Sequence, residues 1–145
     1  MKEMQFSVAI EANKVVVWDT LWRDETFRQW ASVIDPETYM VGELKQGSEV
    51  QFISADGGYG VTSMVETLID NEYLVLRHSA DTQDEGSRGR EKEWTGGTEV
   101  YSLTEKDGVT TVSVTFDVPI NMTTYFTLNY PKALGVVKEL AENNN

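Results

Sequence analysis

Cysteine is absent from this sequence of 145 residues, and histidine occurs only once, as His78. Without cysteine the chain forms no disulfide and has no thiolate for nucleophilic or metal-binding chemistry. A single histidine also excludes a histidine-rich metal site, so we expect no bound metal. The lack of cysteine favours a cytoplasmic location.

Long apolar runs are missing as well. No stretch approaches the roughly 18 apolar residues that a membrane-spanning helix needs. The N-terminal segment MKEMQFSVAI lacks the apolar core of a signal peptide. We therefore expect neither secretion nor a membrane span.

Basic residues are scarce. The chain has 12 lysines and arginines against 24 acidic residues, a formal net charge of −12. Such a surface repels phosphate groups, which excludes nucleic acid as a probable class of partner. The 40% of hydrophobic residues is enough for a core, and the length suits a single domain over residues 1–145.

Alternation of apolar and polar residues predicts most of the chain to be β-strand. Val50 and Phe52 share one face of such a segment. The other predicted strands are 4–10, 60–69, 73–79, 97–105 and 109–118. After the first strand, helical spacing of apolar residues predicts two short helices, with Asn13 and Asp24 as capping candidates.

The last predicted element is a long helix that begins after Asn121, because apolar residues recur at helical spacing as far as Leu140. Pro131 predicts a kink or a later start. The charged stretch 81–93 contains no aliphatic or aromatic residue and predicts a mobile loop. This order of elements predicts an α+β architecture in which the long helix covers an antiparallel sheet.

Four segments carry a resemblance to a known superfamily: IEANKVVVWDTLWRDETFRQW at 10–30, LVLRHS at 74–79, EWTGGTEVYSLTEKDGVTTVSV at 93–114 and YPKALGVVKELAE at 130–142. In them the chain resembles the START-like (SRPBCC, polyketide cyclase/dehydrase) superfamily, and in detail its branch of activator of heat-shock-protein-90 ATPase homologues. The resemblance implies a helix-grip fold, a curved antiparallel sheet wrapped around a long C-terminal helix, with a cavity between them. It also implies ligands such as lipids, sterols, polyketides or flavonoid-like aromatics.

Two polar groups are predicted to face this cavity. By alternation His78 lies on the same strand face as Leu76, and Glu99 lies on the same face as Tyr101 and Leu103. An inward carboxylate needs a partner, for which Arg77 and His78 are the candidates, and alternation favours a Glu99–His78 pair. The pair is either a ligand anchor or acid/base couple, or a structural pair without chemistry; the second is the simpler interpretation.

Trp94 precedes Gly96 and Gly97, which are able to adopt positive φ and so let the chain turn sharply into the next strand. We interpret this indole as a plug at the rim of the sheet, with a gate over the cavity mouth as the alternative.

The predicted ligand site is mainly aromatic. Met122 and Phe126 are favoured, because cavities of this kind usually open at one end of the helix. The full predicted set is Trp18, Trp22, Trp30, Met64, Leu76, His78, Trp94, Glu99, Tyr101, Met122, Phe126 and Tyr130, with Tyr59 and Tyr125 as further aromatic candidates.

The sequence contains partial matches to cofactor-binding motifs, but none of them is complete. Asp81 and Gly86 match the spacing of a calcium loop, but Lys92 stands where the bidentate carboxylate is needed. The GGYG segment is not followed by the Gly-Lys-Ser/Thr of a phosphate loop, and no nucleophile elbow is present. We therefore predict no cofactor and no catalytic residue.

Together these features predict a monomer or weak dimer that binds a small, mostly hydrophobic ligand between sheet and helix. Two alternatives stay open. One is a co-chaperone-like interaction module with a chaperone as partner. The other is a small cyclase or dehydratase that uses His78 and Glu99.

Overall fold

The computed structural model describes residues 1–54, 59–83 and 96–143, with side chains described for all of these except 59 and 81–83. An antiparallel sheet of seven strands curls around the last helix, which confirms the predicted α+β helix-grip fold. The elements are β1 (Lys2–Ile10), α1 (Lys14–Trp22), α2 (Asp24–Ala31), β2 (Tyr39–Val41), β3 (Glu49–Ile53), β4 (Tyr59–Ile69), β5 (Tyr73–Gln83), β6 (Thr98–Lys106), β7 (Val109–Val118), a 3₁₀ turn (Ile120–Met122) and α3 (Thr123–Asn143).

The strand order in the sheet is β1-β7-β6-β5-β4-β3-β2, and each pair of neighbouring strands is antiparallel. In β7, Val112, Val114, Phe116 and Val118 are all buried, while the intervening residues are partly or fully exposed. Because successive side chains of a strand point to opposite faces, one face of the sheet is apolar along its length. That inner face packs against α3.

The two short helices form as predicted, with one correction to their caps. The Asn13 side chain accepts a hydrogen bond of 2.9 Å from the Val16 N–H and caps α1. The expectation that Asp24 caps α2 is wrong, because the cap is Arg23 and Asp24 is already helical. In the first turn of α2 the Asp24 carboxylate interacts favourably with the positive end of the helix dipole. It also accepts a hydrogen bond of 3.0 Å from Arg28 Nε.

Helix α3 begins at Thr123 and continues through Pro131, so the predicted later start is wrong. Pro131 is exposed, and its fixed φ is compatible with a helix although it donates no backbone hydrogen bond. The buried residues of α3 recur at three- and four-residue spacing and form the stripe that faces the sheet: Phe126, Tyr130, Ala133, Leu134, Val137 and Ala141.

The predicted mobile loop at 81–93 begins too early, because β5 extends to Gln83. The rest of that stretch lies outside the described residues. No described helix combines the length and apolar character required to cross a membrane.

Candidate functional site

A cavity of about 380 Å³ lies between the inner face of the sheet, α2 with the segment that follows it, and the first half of α3. Ala31 and Ile34 contribute at the end of α2, and Gly60 and Val61 contribute at the start of β4. The cavity is therefore lined by elements that are far apart in the sequence.

Eight of the 18 described residues that line the cavity are aromatic. The Phe116 ring centroid lies 4.8 Å from that of Tyr130 and 5.4 Å from that of Phe126, and both arrangements are tilted or edge-on. Such contacts are the favoured geometries of aromatic pairs. The aromatic lining residues are Phe27, Trp30, Phe52, Tyr101, Phe116, Tyr125, Phe126 and Tyr130.

The wall also contains a polar cluster of His78, Glu99, Tyr101 and Tyr130, and Ser63 joins it through His78 without lining the cavity. The Tyr101 hydroxyl donates to Glu99 Oε2 at 3.1 Å and lies 3.3 Å from the Tyr130 hydroxyl. Since Tyr101 has only one hydroxyl hydrogen, Tyr130 is the donor of the second bond. The cluster therefore ends in a carboxylate that is 24% exposed.

His78 joins the cluster from the neighbouring strand. Its Nδ1 lies 2.7 Å from Ser63 Oγ, and its Nε2 lies 3.7 Å from Glu99 Oε1. The predicted Glu99–His78 neighbourhood is thus present in the structure. At 3.7 Å the two groups are beyond hydrogen-bond distance but close enough to interact electrostatically.

Local backbone geometry places His78 and Glu99 side by side. The His78 N–H donates to the Gly97 carbonyl at 2.9 Å, and the Gly96 N–H donates to the His78 carbonyl at 2.8 Å. Gly96 has φ 91°, a conformation that favours glycine, as predicted for the turn into β6. Three residues after Gly96, Glu99 is on the inner face opposite Phe116 of β7.

Burial and the nearby Glu99 carboxylate raise the pKa values of the Tyr101 and Tyr130 hydroxyls well above the usual value of tyrosine. Both effects disfavour a second negative charge in the cavity. The cluster therefore holds two neutral phenols beside Glu99.

Alkaline titration of Tyr130→Phe against the unchanged protein tests this environment. A raised pKa means that the stabilisation from the neutral phenols is complete below the unfolded-state value of about 10 and is lost as pH rises above it. While circular dichroism shows folded protein at a pH of about 11, we expect both proteins to have equal phenolate absorbance. After unfolding, the unchanged protein should gain one additional phenolate. An additional phenolate in the folded state would contradict the assignment.

The structure gathers seven of the predicted site residues around this cavity: Trp30, His78, Glu99, Tyr101, Met122, Phe126 and Tyr130. The further candidate Tyr125 also lines it, and its hydroxyl donates to the Ile34 carbonyl. This contact connects α3 with the segment after α2. Trp94 and the Tyr59 side chain lie outside the described residues.

Four predicted residues do not line the cavity, and two of them, Met64 and Leu76, are on strands of the sheet. Met64 is paired with the exposed Arg77 and therefore lies on the outer face of the sheet, since paired residues share a face. Leu76 does point inward but is completely buried in the hydrophobic core. Alternation correctly placed Leu76 on the inner face of the sheet, but it did not show that the cavity stops short of this residue.

Trp18 and Trp22 line a separate hollow of about 470 Å³ beside β2 and the segment after it. The Trp22 ring centroid lies 4.8 Å from that of Tyr101, in an edge-on arrangement. Trp22 also contacts Trp30 edge-on at 6.2 Å. It therefore packs against two cavity residues without lining the cavity itself.

Sequence reasoning missed several lining residues, among them Phe27, Phe52, Phe116 and Asp35. Phe116 had a usable signal, because it lies on the apolar face of β7. Asp35 had none, because it follows α2 in an irregular segment and is placed by a hydrogen bond of 3.1 Å from the Ser54 hydroxyl.

No protein-family model matches the chain, and no curated protein is significantly similar to it. Several solved structures are similar. Protein MLL2253 from Mesorhizobium loti has a TM-score of 0.76 and 13% identity over 99% of both chains. The Aha1 dimer from Colwellia psychrerythraea has a TM-score of 0.73 and 18% identity, covering 98% of this chain and 97% of that one.

DynU16, a protein of the dynemicin biosynthetic locus, has a TM-score of 0.72 and 14% identity, and the match covers all of this chain but 49% of that one. At such identities the likeness shows the fold alone. The chain has the helix-grip fold that its sequence resemblance implied.

Proposed function

We propose that this protein binds a small, mostly apolar molecule in the cavity between the sheet and α3. The observation that carries the proposal is a cavity of about 380 Å³ whose described lining is rich in aromatic residues and includes a polar cluster. Ligand sites in proteins typically have volumes of about 300–1,000 Å³ and combine an apolar lining with a few convergent polar groups. Burial of the ligand's apolar surface supplies affinity, and the polar cluster orients it.

The remaining predicted roles stay predictions. A co-chaperone-like module would use an outer surface and a chaperone partner, and a cyclase or dehydratase would use His78 and Glu99. The ligand-binding role is preferred because it needs only the cavity and its lining.

Replacing Val61 with phenylalanine tests the proposal. Val61 lines the cavity on β4, and the larger ring occupies space that a ligand needs. The probe is N-phenyl-1-naphthylamine, a neutral dye that fluoresces in apolar surroundings. We expect the unchanged protein to bind it and Val61→Phe to weaken binding at least about tenfold, equivalent to about 1.4 kcal/mol.

Val75→Phe is the matched control. Val75 lies on β5 between the buried residues Leu74 and Leu76, so its side chain points to the opposite face of the sheet. This variant should bind the dye within about twofold of the unchanged protein. Equal affinity in Val61→Phe and Val75→Phe, or no binding by the unchanged protein, would overturn the proposed site.

A further inference from the structure

The described cavity lining contains two carboxylates, Asp35 and Glu99, and neither lysine nor arginine. Glu99 is three-quarters buried, with a side chain that is 24% exposed, whereas Asp35 is exposed at the rim. With His78 counted as neutral, the charge on the described lining is negative, and so is the formal net charge of −12 on the whole chain.

Hydrogen-bond donors of the described lining are directed at the protein itself. The Tyr101 hydroxyl donates to Glu99, and the Tyr130 hydroxyl donates to Tyr101. The Trp30 indole N–H donates to the Leu21 carbonyl at 3.0 Å. The Tyr125 hydroxyl donates to the Ile34 carbonyl. Apart from His78, the cavity therefore offers a ligand acceptors in preference to donors.

The strongest hydrogen-bond acceptor among these groups is the Glu99 carboxylate. Its Oε2 accepts from Tyr101 at 3.1 Å, but its Oε1 is 3.7 Å from His78 Nε2, beyond hydrogen-bond distance. An ionised carboxylate has about four lone-pair sites. A ligand that brings a positive charge or an N–H donor would meet this oxygen in a partly desolvated environment, where such contacts are strengthened.

The surrounding rings favour the same kind of ligand. The faces of Trp, Tyr and Phe carry negative electrostatic potential and attract ammonium groups positioned above them. Tyr130 belongs to the polar cluster and contacts Phe116 and Phe126, so a carboxylate and aromatic rings meet in one region of the wall. An anionic ligand such as a fatty acid would instead meet the Glu99 charge and the overall negative field.

We infer that the ligand is an organic cation, a protonated amine or quaternary ammonium group on an apolar body, with its charge at Glu99. This inference rests on the proposed ligand-binding function and narrows it. It removes free fatty acids from the ligand classes that the resemblance implied.

The inference is tested by isothermal titration calorimetry of the unchanged protein with three compounds. They share a phenylalkyl body and differ in the charge of the end group: 4-phenylbutyltrimethylammonium, 4-phenyl-1-butanol and 4-phenylbutyrate. We expect the cation to bind at least about tenfold more tightly than the alcohol, and the carboxylate to bind most weakly. Equal or tighter binding of the alcohol or the carboxylate would overturn the inference.

The variants Glu99→Gln and Glu3→Gln separate a local from a global effect of charge, because each removes one negative charge and Glu3 is exposed on β1. Glu99→Gln should lower the ratio of cation affinity to alcohol affinity at least about tenfold, whereas Glu3→Gln should leave this ratio within about twofold of that of the unchanged protein. Equal losses in both variants would assign the preference to surface charge and overturn the inference.

The two proposals fail in different ways. If the neutral dye binds and the cation has no advantage, ligand binding stands and the cation inference falls. If the dye and all three compounds fail to bind, the proposed function itself falls. Should Glu99→Gln not fold, as judged by circular dichroism, the comparison of the three compounds on the unchanged protein decides.

Discussion

Leu76→Ala is expected to lower the free energy of unfolding by about 2–5 kcal/mol. Leu76 is completely buried and is paired with Val65 of β4 and with Glu99 of β6 in the middle of the sheet. Truncation removes apolar contacts and leaves a void, because neighbouring strands are held by their hydrogen bonds and do not collapse into it. The change is measured by urea denaturation followed by circular dichroism.

Leu128→Ala is the control for this substitution. Leu128 lies on α3 and is 62% exposed, so its truncation should alter the free energy of unfolding by no more than about 0.5 kcal/mol. A loss below about 1 kcal/mol in Leu76→Ala would mean that this part of the interior is not closely packed. It would return Leu76 to the list of cavity residues, where the sequence had placed it.

Gly60→Ala is expected to cost about 3 kcal/mol of stability. A β-carbon at this position would lie 1.9 Å from the Phe52 carbonyl oxygen and 2.8 Å from the Ile53 Cα. Both neighbours are main-chain atoms, which do not move aside as a flexible side chain does. Strands β3 and β4 would have to separate where Gly60 is paired with Ile53.

Because Gly60 also lines the cavity, we expect the same substitution to weaken binding of the neutral dye. Thermal and urea denaturation measure its stability, and fluorescence titration measures its binding. Unchanged stability would show that β3 and β4 do not approach as closely as the structure indicates.

Gly135→Ala is the matched control and should have the opposite sign. Gly135 is exposed within α3, and an added β-carbon would meet nothing within 4 Å. Alanine is the better helix former by about 0.8–1.0 kcal/mol, so this variant should be more stable than the unchanged protein. The pair separates the steric requirement at Gly60 from the general effect of replacing glycine.

Much of the architecture was predictable from local patterns. The alternation in β7 requires one apolar face, and Asn13 supplies the side-chain oxygen that the first turn of α1 lacks. The helical spacing from Phe126 to Ala141 similarly defines the stripe of α3 that faces the sheet. Each of these patterns involves residues that are close in sequence, so it can be recognised without knowledge of the fold.

The limits of the cavity were less predictable. The β4–β5 pairing has register shifts between Thr62 and Ser63 and between Val65 and Thr67, which local alternation does not reveal. Met64 lies on the outer face although its apolar character suggested the cavity, because it stands between the buried residues Ser63 and Val65. Trp22 carries the same kind of side chain as Trp30, yet only Trp30 lines the cavity.

By itself, the sequence determined the order of the helices and strands apart from the short β2, the inward faces of β5, β6 and β7, and the neighbourhood of His78 and Glu99. These depend on a periodicity of two or three to four residues, and on the pairing of adjacent strands. Only the tertiary structure decided which inward side chains are closely packed in the core and which line the cavity. That outcome depends on how the side-chain volumes of α2, β3, β7 and α3 together fill the interior. No pattern within one segment of the sequence contains this information.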